Sequence, residues 1–554
     1  MRIELEKQTL DHFFYNSVKK YSSNKALAFV GEEPLTYKEF GEQVDSLKKK
    51  LKSFSVKKGQ KILLLGDNSP NWCFAFMAIT TMGAVVVPVL VDFPEADINH
   101  IIRHSEAAAA FISDSIYTSM DLTPLSDFKI VFSLTDFSIL VQQEQAEKEE
   151  KKSKETEKEK SGSEVEIQED DLAEILYTSG TTGHSKGVML AHKSLVSNGM
   201  TGIDSVKAVN EDSIVLSLLP LAHSYGSTST FLGAVYAGAV LYFLKRKPSP
   251  KILIDAMQKL KPTVLTGVPL VFEKIYHKRV LPEISKKKLL RWLLNFKVSR
   301  KFLYRTAGKK VMEMFGGRLE CAVIGGAALN PEVEAFLRDG RIPFTNGYGL
   351  SECAPLVSAS PVAETRIGSV GKPAGGVDIK IVNPEPDTGI GEIYVKGPNV
   401  MQGYYKNPEE NEKVFSEDGW LITGDRGYLD KDNYLFIRGR SKTLILGPSG
   451  ENIFPEVVEE KLKESPYVEE ALVYDDDGKI TARIYPDYDF IDQTFSGKSE
   501  AQMVNTIRKL LEDIRKETNT KLPAFSQVSR IIEQEEPFEK TPTNKIKRLL
   551  YLPK

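Results

Sequence analysis

Residues 177–188 read Tyr-Thr-Ser-Gly-Thr-Thr-Gly-His-Ser-Lys-Gly-Val. Between Thr178 and Gly187 nearly every residue is Gly, Ser or Thr, and one lysine, Lys186, stands near the end. Glycines such as Gly180 and Gly183 let backbone N–H groups turn toward an anion at close range. The hydroxyls of Thr178, Ser179, Thr181 and Thr182 add donors, and Lys186 adds a mobile charge suited to phosphate. A polyphosphate is the guest this composition fits. The run is not a Walker A loop, because Lys186 is followed by Gly187 and the G-x-x-x-x-G-K-[ST] spacing is missing. A Ser/Gly-rich surface hairpin is the plainer alternative for such a composition.

Other residues along the chain carry chemistry less plainly. Asp425 closes Gly419-Trp420-Leu421-Ile422-Thr423-Gly424-Asp425. A carboxylate at a strand end can accept hydrogen bonds from both hydroxyls of a ribose, although turn aspartates are common. Glu352 ends Asn346-Gly347-Tyr348-Gly349-Leu350-Ser351-Glu352, which alone reads as a turn with a surface glutamate. His223 lies in Pro220-Leu221-Ala222-His223-Ser224-Tyr225-Gly226, where a lone histidine after a strand usually packs or caps. The basic tail Thr541-Pro542-Thr543-Asn544-Lys545-Ile546-Lys547-Arg548 is, by itself, solvated charge.

Taken together and in this order, these segments resemble the motifs of the adenylate-forming superfamily, which includes acyl-CoA synthetases, luciferases and peptide-synthetase adenylation domains. The resemblance spans roughly residues 30–550 and is greatest toward bacterial long-chain fatty acyl-CoA synthetases. It implies roles residue by residue. Thr178, Ser179, Gly180, Thr181, Thr182 and Gly183 would cradle phosphates beside Lys186. His223 would sit by the carboxylate of the acyl substrate. Tyr348 would stack on adenine, with Gly326, Ala327 and Ala328 lining the base, and Asn346, Gly347 and Gly349 would also bind the nucleotide. Ser351 replaces the family's usual threonine and keeps a hydroxyl for phosphate. Glu352 would hold Mg²⁺, a hard ion that accepts carboxylate and phosphate oxygens. Asp425 and Arg440 would reach ribose, and Lys442 would be the hinge between domains. Lys545 aligns with the catalytic lysine of the family's C-terminal signature. Asn544 and Glu539 depart from that signature, so Lys547 is the alternative.

The elements that would position these residues alternate. Thr36-Tyr37-Lys38-Glu39 is a capping box opening a helix to about residue 54. Strands are expected at 61–65, 84–87, 108–112, 173–176, 188–191, 213–218, 240–244, 264–266, 321–324 and 344–348. Helices are expected between them, at 70–82, 95–104, 227–237, 250–260, 270–279 and 331–339. Such alternation predicts βαβ units and mainly parallel sheets covered on both faces. From 367 to 438 the texture changes to short strands and Gly/Pro turns. Beyond lie a helix at 455–464, a hairpin turning at Asp477-Gly478 and a helix at 501–517. The fold expected is α/β: a large N-terminal domain (1–439) of βαβ-built sheets with a β subdomain at about 367–438, and a small mobile α+β C-terminal domain (440–554). A charged insert at 142–171 is too polar to bury a core and reads as a solvated loop or exposed helix.

Composition excludes some classes. The 554 residues carry a net charge of −3, which gives no global argument for nucleic acid. Three widely spaced cysteines, Cys73, Cys321 and Cys353, suit a reducing compartment rather than a disulfide framework. The uncharged run 73–91 is long enough for a membrane span, but Gly83, Pro88 and the β-branched residues 85–87 favour a helix followed by a buried strand. Residues 283–315 mix lysines and arginines with Trp292, Phe296 and Phe302. They read either as a surface helix pair or as a basic face for an anionic membrane, and long-chain acyl-CoA synthetases carry a similar insert.

The resemblance therefore implies a ligase using ATP, Mg²⁺ and CoA on a long- or medium-chain fatty acid. An acyl carrier protein is the alternative acceptor, and a non-catalytic adenylate-binding protein is the alternative from another class. The expected setting is cytoplasmic, peripheral at most on the inner face of the membrane, as a monomer or homodimer.

Overall fold

The computed structural model describes residues 2–122, 125, 128–143, 166–178, 185–246, 248–285, 288–294, 296–446, 452–541 and 545–553. Most of the charged insert and the loop 179–184 thus lie outside the described residues, as do 447–451 and 542–544. Contacts divide the chain into two units: Met1–Ile379 with Val395–Leu421, and Lys380–Tyr394 with Ile422–Lys554.

The first unit holds two large sheets. One has eight strands in the order Gly403–Tyr404, Lys186–Ala191, Leu172–Thr178, Val85–Val89, Lys61–Leu65, Ala109–Ile112, Ile130–Ser133 and Ile139–Gln142. Its centre is parallel, and its strands read as continuous apolar runs because helices cover both faces. Val85–Val89 is buried throughout. The run 73–91 resolves into the helix Pro70–Thr80, buried from Trp72 to Thr80, and that strand. Among the described residues no helix is long and apolar enough to cross a membrane.

The other sheet has seven strands: Phe344–Asn346, Cys321–Ile324, Val264–Gly267, Ile214–Leu216, Val240–Phe243, Lys25–Phe29 and Leu35–Thr36. All pairs are parallel except the last. The capping box forms: Thr36 Oγ1 accepts from the Glu39 N–H, and the Glu39 carboxylate accepts from the Thr36 N–H at 2.7 Å.

Three local expectations differ from the structure. Residues 227–237 are not one α-helix: Tyr225–Leu232 is π-helical and Gly233–Ala237 is α-helical. The same happens at 270–279, where Pro269–Ile275 continues as the π-helical Tyr276–Val280. The wider turn carries no sequence period of its own. The strand expected at 344–348 is broken at Gly347. Phe344–Asn346 stays in the seven-stranded sheet, while Tyr348–Gly349 pairs with Leu356–Ala359.

Leu172–Thr178, which leads into the Gly/Ser/Thr run, carries an unusual residue. Glu174 is fully buried, and neither carboxylate oxygen has a hydrogen-bond partner among the described residues. Desolvation pushes its carboxyl from the ordinary 4.5 up to about 8. The folded protein therefore keeps Glu174 protonated where the unfolded chain would ionise, so stability present below pH 4.5 is lost as pH rises through about 8. Glu174→Met should remove this loss. Urea unfolding should show a gain of a few kcal/mol at pH 8 and a much smaller one at pH 5; equal gains at both would contradict the burial argument.

In the second unit, most of a four-stranded sheet runs Asp378–Val382, Gly391–Lys396, Leu421–Leu429, Leu435–Arg440. A three-stranded sheet, Val468–Asp476, Lys479–Pro486 and Arg530–Glu533, packs with the helices Pro455–Leu462 and Glu500–Asn519 around one apolar core. Its hairpin turns at Asp477 and Gly478, both with positive φ (55° and 75°), as a tight two-residue turn requires.

Candidate functional site

The strands that flank the Gly/Ser/Thr run pair antiparallel. Thr178 faces Lys186 across Leu172–Thr178 and Lys186–Ala191, and Leu176 faces Val188. Thr178 and Lys186 therefore stand at the two feet of the loop. Ser179, Gly180, Thr181, Thr182 and Gly183 lie outside the described residues.

The Lys186 side chain does not point to solvent. Its Nζ is 2.5 Å from Glu410 Oε2 and lies 5.1 Å from the centre of the Tyr404 ring. The lysine holds the Glu410 carboxyl below its ordinary pKa. Glu410 stands in the first turn of the helix Pro408–Val414, which is capped by Asn407. The Tyr404 hydroxyl in turn donates to Glu352 Oε1 at 2.8 Å. Lys186 and Glu352, 166 positions apart, are thus joined through one tyrosine ring.

Glu352 lies in the short 3₁₀ turn Ser351–Cys353, directly after Tyr348–Gly349. Its backbone is pinned from several sides. Its carbonyl accepts the Met401 N–H at 2.9 Å. The side-chain amides of Asn198 and Asn399 both donate to the carbonyls of Cys353 and Leu356. A Cβ on Gly349 would lie 2.2 Å from the Pro355 carbonyl oxygen, so this tight return requires glycine.

Parallel register gathers the base-binding candidates at one sheet edge. Gly267 pairs with Ile324, and Ile324 with Asn346, so residues just beyond these strands emerge together at their carboxyl ends. Those residues include Gly326 (φ 88°), Ala327, Ala328, Gly347 and Tyr348. Crevices at such edges are the usual ligand sites of open α/β sheets. Asn346 is buried, and its Oδ1 has no hydrogen-bond partner among the described residues. His223 follows Ile214–Leu216 at the same end of the sheet. Its Nδ1 accepts the Tyr225 N–H at 3.2 Å, which places a neutral imidazole's proton on Nε2.

The second unit holds the remaining candidates. Asp425 and Arg440 are directly opposed across Leu421–Leu429 and Leu435–Arg440, with Arg440 Nε 3.1 Å from Asp425 Oδ1. Lys442 is in the 3₁₀ turn Ser441–Thr443. The Lys545 carbonyl accepts the Thr541 N–H at 2.8 Å, beside a bridge between Lys540 and Ile546. Lys547 pairs at 3.6 Å with Glu539, an exposed pair of little energetic weight.

Tyr404 and Glu410 were not found from sequence. A two-residue strand such as Gly403–Tyr404 is too short for any period, and Asn407-Pro408-Glu409-Glu410 announces only a helix start.

Known proteins give an independent comparison. The chain is 31% identical over 517 residues to the long-chain-fatty-acid–CoA ligase heimdall of Drosophila melanogaster, covering 85% of this chain and 75% of that protein. It is 28% identical to fatty acyl-CoA synthetase A of Dictyostelium discoideum (93% and 83% covered). Identity is also 28% to the chloroplastic long-chain-fatty-acid–[acyl-carrier-protein] ligase AEE15 of Arabidopsis thaliana (96% and 84%). Its fold matches ATP-bound MatB from Rhodopseudomonas palustris with a TM-score of 0.75 at 22% identity, covering 98% of each chain. It also matches o-succinylbenzoate CoA synthetase from Bacillus subtilis, solved with ATP and magnesium, with a TM-score of 0.72 at 21% identity (97% and 98%). The family profile described as AMP-binding enzyme matches residues 14–405, most of the chain, and the chain belongs to that family.

Proposed function

We propose that the protein couples a fatty acid to CoA in two steps. A carboxylate oxygen attacks the α-phosphorus of ATP, the bond to pyrophosphate breaks, and acyl-AMP forms. The CoA thiolate then attacks the acyl carbonyl and AMP leaves. The observation that carries the reading is the Lys186–Tyr404–Glu352 grouping at the foot of the Gly/Ser/Thr run, in a chain whose relatives are named fatty acid–CoA ligases.

Each residue has a task in this scheme. Lys186 exchanges Glu410 for the departing pyrophosphate and stabilises its growing charge. The Asn346 side chain offers Oδ1, which has no hydrogen-bond partner among the described residues, to the adenine edge. The Asp425 carboxylate, kept in place by Arg440, accepts from ribose hydroxyls. His223 orients the acyl carboxylate. Among the described residues no group of three or more His, Cys, Asp or Glu could hold a metal. A single carboxylate fits Mg²⁺, which keeps waters and substrate phosphates as its main ligands. Glu352 would hold it, and the ion would neutralise phosphate charge.

The cavity beside Gly267, lined by Leu218, Met257, Leu265, Val271, Phe272 and Phe315 among others, is apolar but has room for only about one water molecule, so the chain-length reading rests on the named relatives. A Cβ on Gly226 would strike the Pro220 carbonyl oxygen, and a Cβ on Gly233 would meet Ile203. Incubation with ATP and acids from acetate to palmitate, with CoA or carrier protein as acceptor, tests the assignment. A long- or medium-chain acyl-CoA is the expected product. Preference for acetate would overturn the chain-length reading, and acyl transfer to carrier protein alone would overturn the acceptor.

We propose contact with an anionic membrane through residues 283–315. The helix Lys297–Met314 buries Tyr304, Gly308 and Val311, and a Cβ on Gly308 would meet the Gly340 backbone. Its opposite side leaves Val298 (85%) and Phe302 (70%) exposed, and Trp292 (56%) packs edge-on against Phe296 nearby. Lys297, Lys301, Arg305 and Lys309 are exposed around them. Anionic liposomes should sediment the protein at low salt, and Trp292→Glu with Phe302→Glu should prevent it. No sedimentation of the unaltered protein would exclude this contact.

A further inference from the structure

Tyr404 touches both charged groups of the site, and its placement is over-determined. Its short strand forms the edge of the eight-stranded sheet, with Gly403 opposite Met189 and Tyr404 opposite Val188. The Gln402 N–H donates to the Met189 carbonyl, and the Tyr405 N–H to the Gly187 carbonyl at 2.7 Å. Asn411 brackets Tyr404 itself: its Oδ1 accepts the Tyr404 N–H at 2.6 Å and its amide donates to the Tyr404 carbonyl at 3.0 Å. The main chain carrying the ring is thus tied to the strand that begins at Lys186.

Tyr404 as a whole is 8% exposed. Its hydroxyl donates to Glu352 Oε1 at 2.8 Å. Because Met401 from the same segment also holds the Glu352 carbonyl, backbone and side chain of Glu352 are fixed by a single piece of chain.

We propose that Tyr404 is a positioning residue for the metal carboxylate. Its hydroxyl occupies Oε1 of Glu352, which leaves Oε2 as the oxygen presented to Mg²⁺ on the nucleotide. Its ring face holds the Lys186 ammonium over the same spot, so the cation and the carboxylate meet the triphosphate in a fixed relation. The inference rests on Glu352 as the metal ligand.

Tyr404→Phe tests it, because phenylalanine keeps the ring and its packing and removes only the hydroxyl. The probe is a non-hydrolysable ATP analogue titrated by calorimetry without acyl substrate, in Mg²⁺ and in EDTA. Loss of a hydrogen bond to a charged group should weaken binding about tenfold in Mg²⁺ and leave binding in EDTA unchanged. The Mg²⁺ concentration for half-maximal ATP–pyrophosphate exchange should rise in parallel. Glu352→Gln should weaken the Mg²⁺-dependent binding further, and adding Tyr404→Phe to Glu352→Gln should cost nothing more. Equal losses in Mg²⁺ and EDTA, or a full additional loss in the double variant, would make Tyr404 a packing residue and overturn the proposal. If Glu352→Gln leaves Mg²⁺ dependence as it was, the metal assignment fails and the inference fails with it. If only Glu352→Gln has an effect, the metal assignment stands and the role of Tyr404 alone is refuted.

Discussion

Lys545→Ala should reduce acyl-adenylate formation by about 10²-fold or more while leaving conversion of supplied acyl-AMP and CoA to thioester near its original rate. The reason is division of labour across the chain. Lys545 lies in the second unit, and Lys186 and Glu352 lie in the first. We propose that Lys545 acts on the reacting carboxylate and α-phosphate only in the first half-reaction and only in one of two arrangements of the units, and that the second half-reaction uses a different face of the C-terminal residues. We propose Lys442, between Arg440 and the hairpin Ile445–Leu446 with Asn452–Ile453, as the point where the backbone turns between the two. Lys442→Pro should give the opposite pattern, because a fixed φ blocks rotation and leaves the adenylation orientation accessible. Single-turnover assays of each half-reaction decide it. Equal loss of both halves in Lys545→Ala would refute either the lysine or the alternation. Lys547→Ala would separate these, since selective loss of adenylation there would move the role to Lys547.

Lys186→Ala is expected to slow both adenylation and overall ligation by about 10²-fold, the scale of losing a preorganised charge contact in a transition state. The structure adds a second expectation. Glu410 holds the lysine at 2.5 Å and would be left without this cation. A carboxylate left with only the exposed Lys413, 3.5 Å away, still repels incoming phosphates, so Lys186→Ala should raise KM for ATP as well as lower kcat. Lys186→Ala combined with Glu410→Gln should recover part of the KM loss and none of the kcat loss. Wild-type adenylation by Lys186→Ala, measured as ATP–pyrophosphate exchange, would show that the lysine stands away from the reacting phosphates.

How far the sequence reached follows from what each kind of signal can carry. Buried parallel strands such as Lys61–Leu65 and Cys321–Ile324 were legible because both faces are covered and the apolar run is continuous. Helices with a cap and a proline in the first turn, such as Pro331–Asp339, announced their own ends. The helix Leu10–Lys20 was overlooked, although Leu10, Phe13, Phe14 and Ser17 fall on one helical face, because charged residues surround them. The π-helical segments at Tyr225–Leu232 and Tyr276–Val280 were not legible at all, since apolar spacing does not distinguish them from α-helix.

At the site, the motifs located Lys186, Glu352, Asp425 and Arg440 separately. Register then made Asp425 and Arg440 neighbours, across a pairing whose irregularity between Arg426 and Gly427 no spacing rule anticipates. The partners of Lys186 and Glu352 came from Tyr404 and Glu410, more than 50 and 200 positions away from the residues they hold. Such contacts depend on a long-range strand pairing and leave no local trace.

The central claim is that a carboxylate oxygen attacks the α-phosphorus of ATP. It is tested most directly by following that oxygen. A fatty acid labelled with ¹⁸O in both carboxylate positions, turned over with ATP, Mg²⁺ and CoA, should yield AMP carrying one ¹⁸O and unlabelled pyrophosphate. Formation of ADP with the label in orthophosphate would mean attack at the γ-phosphorus through an acyl phosphate, and would contradict the account.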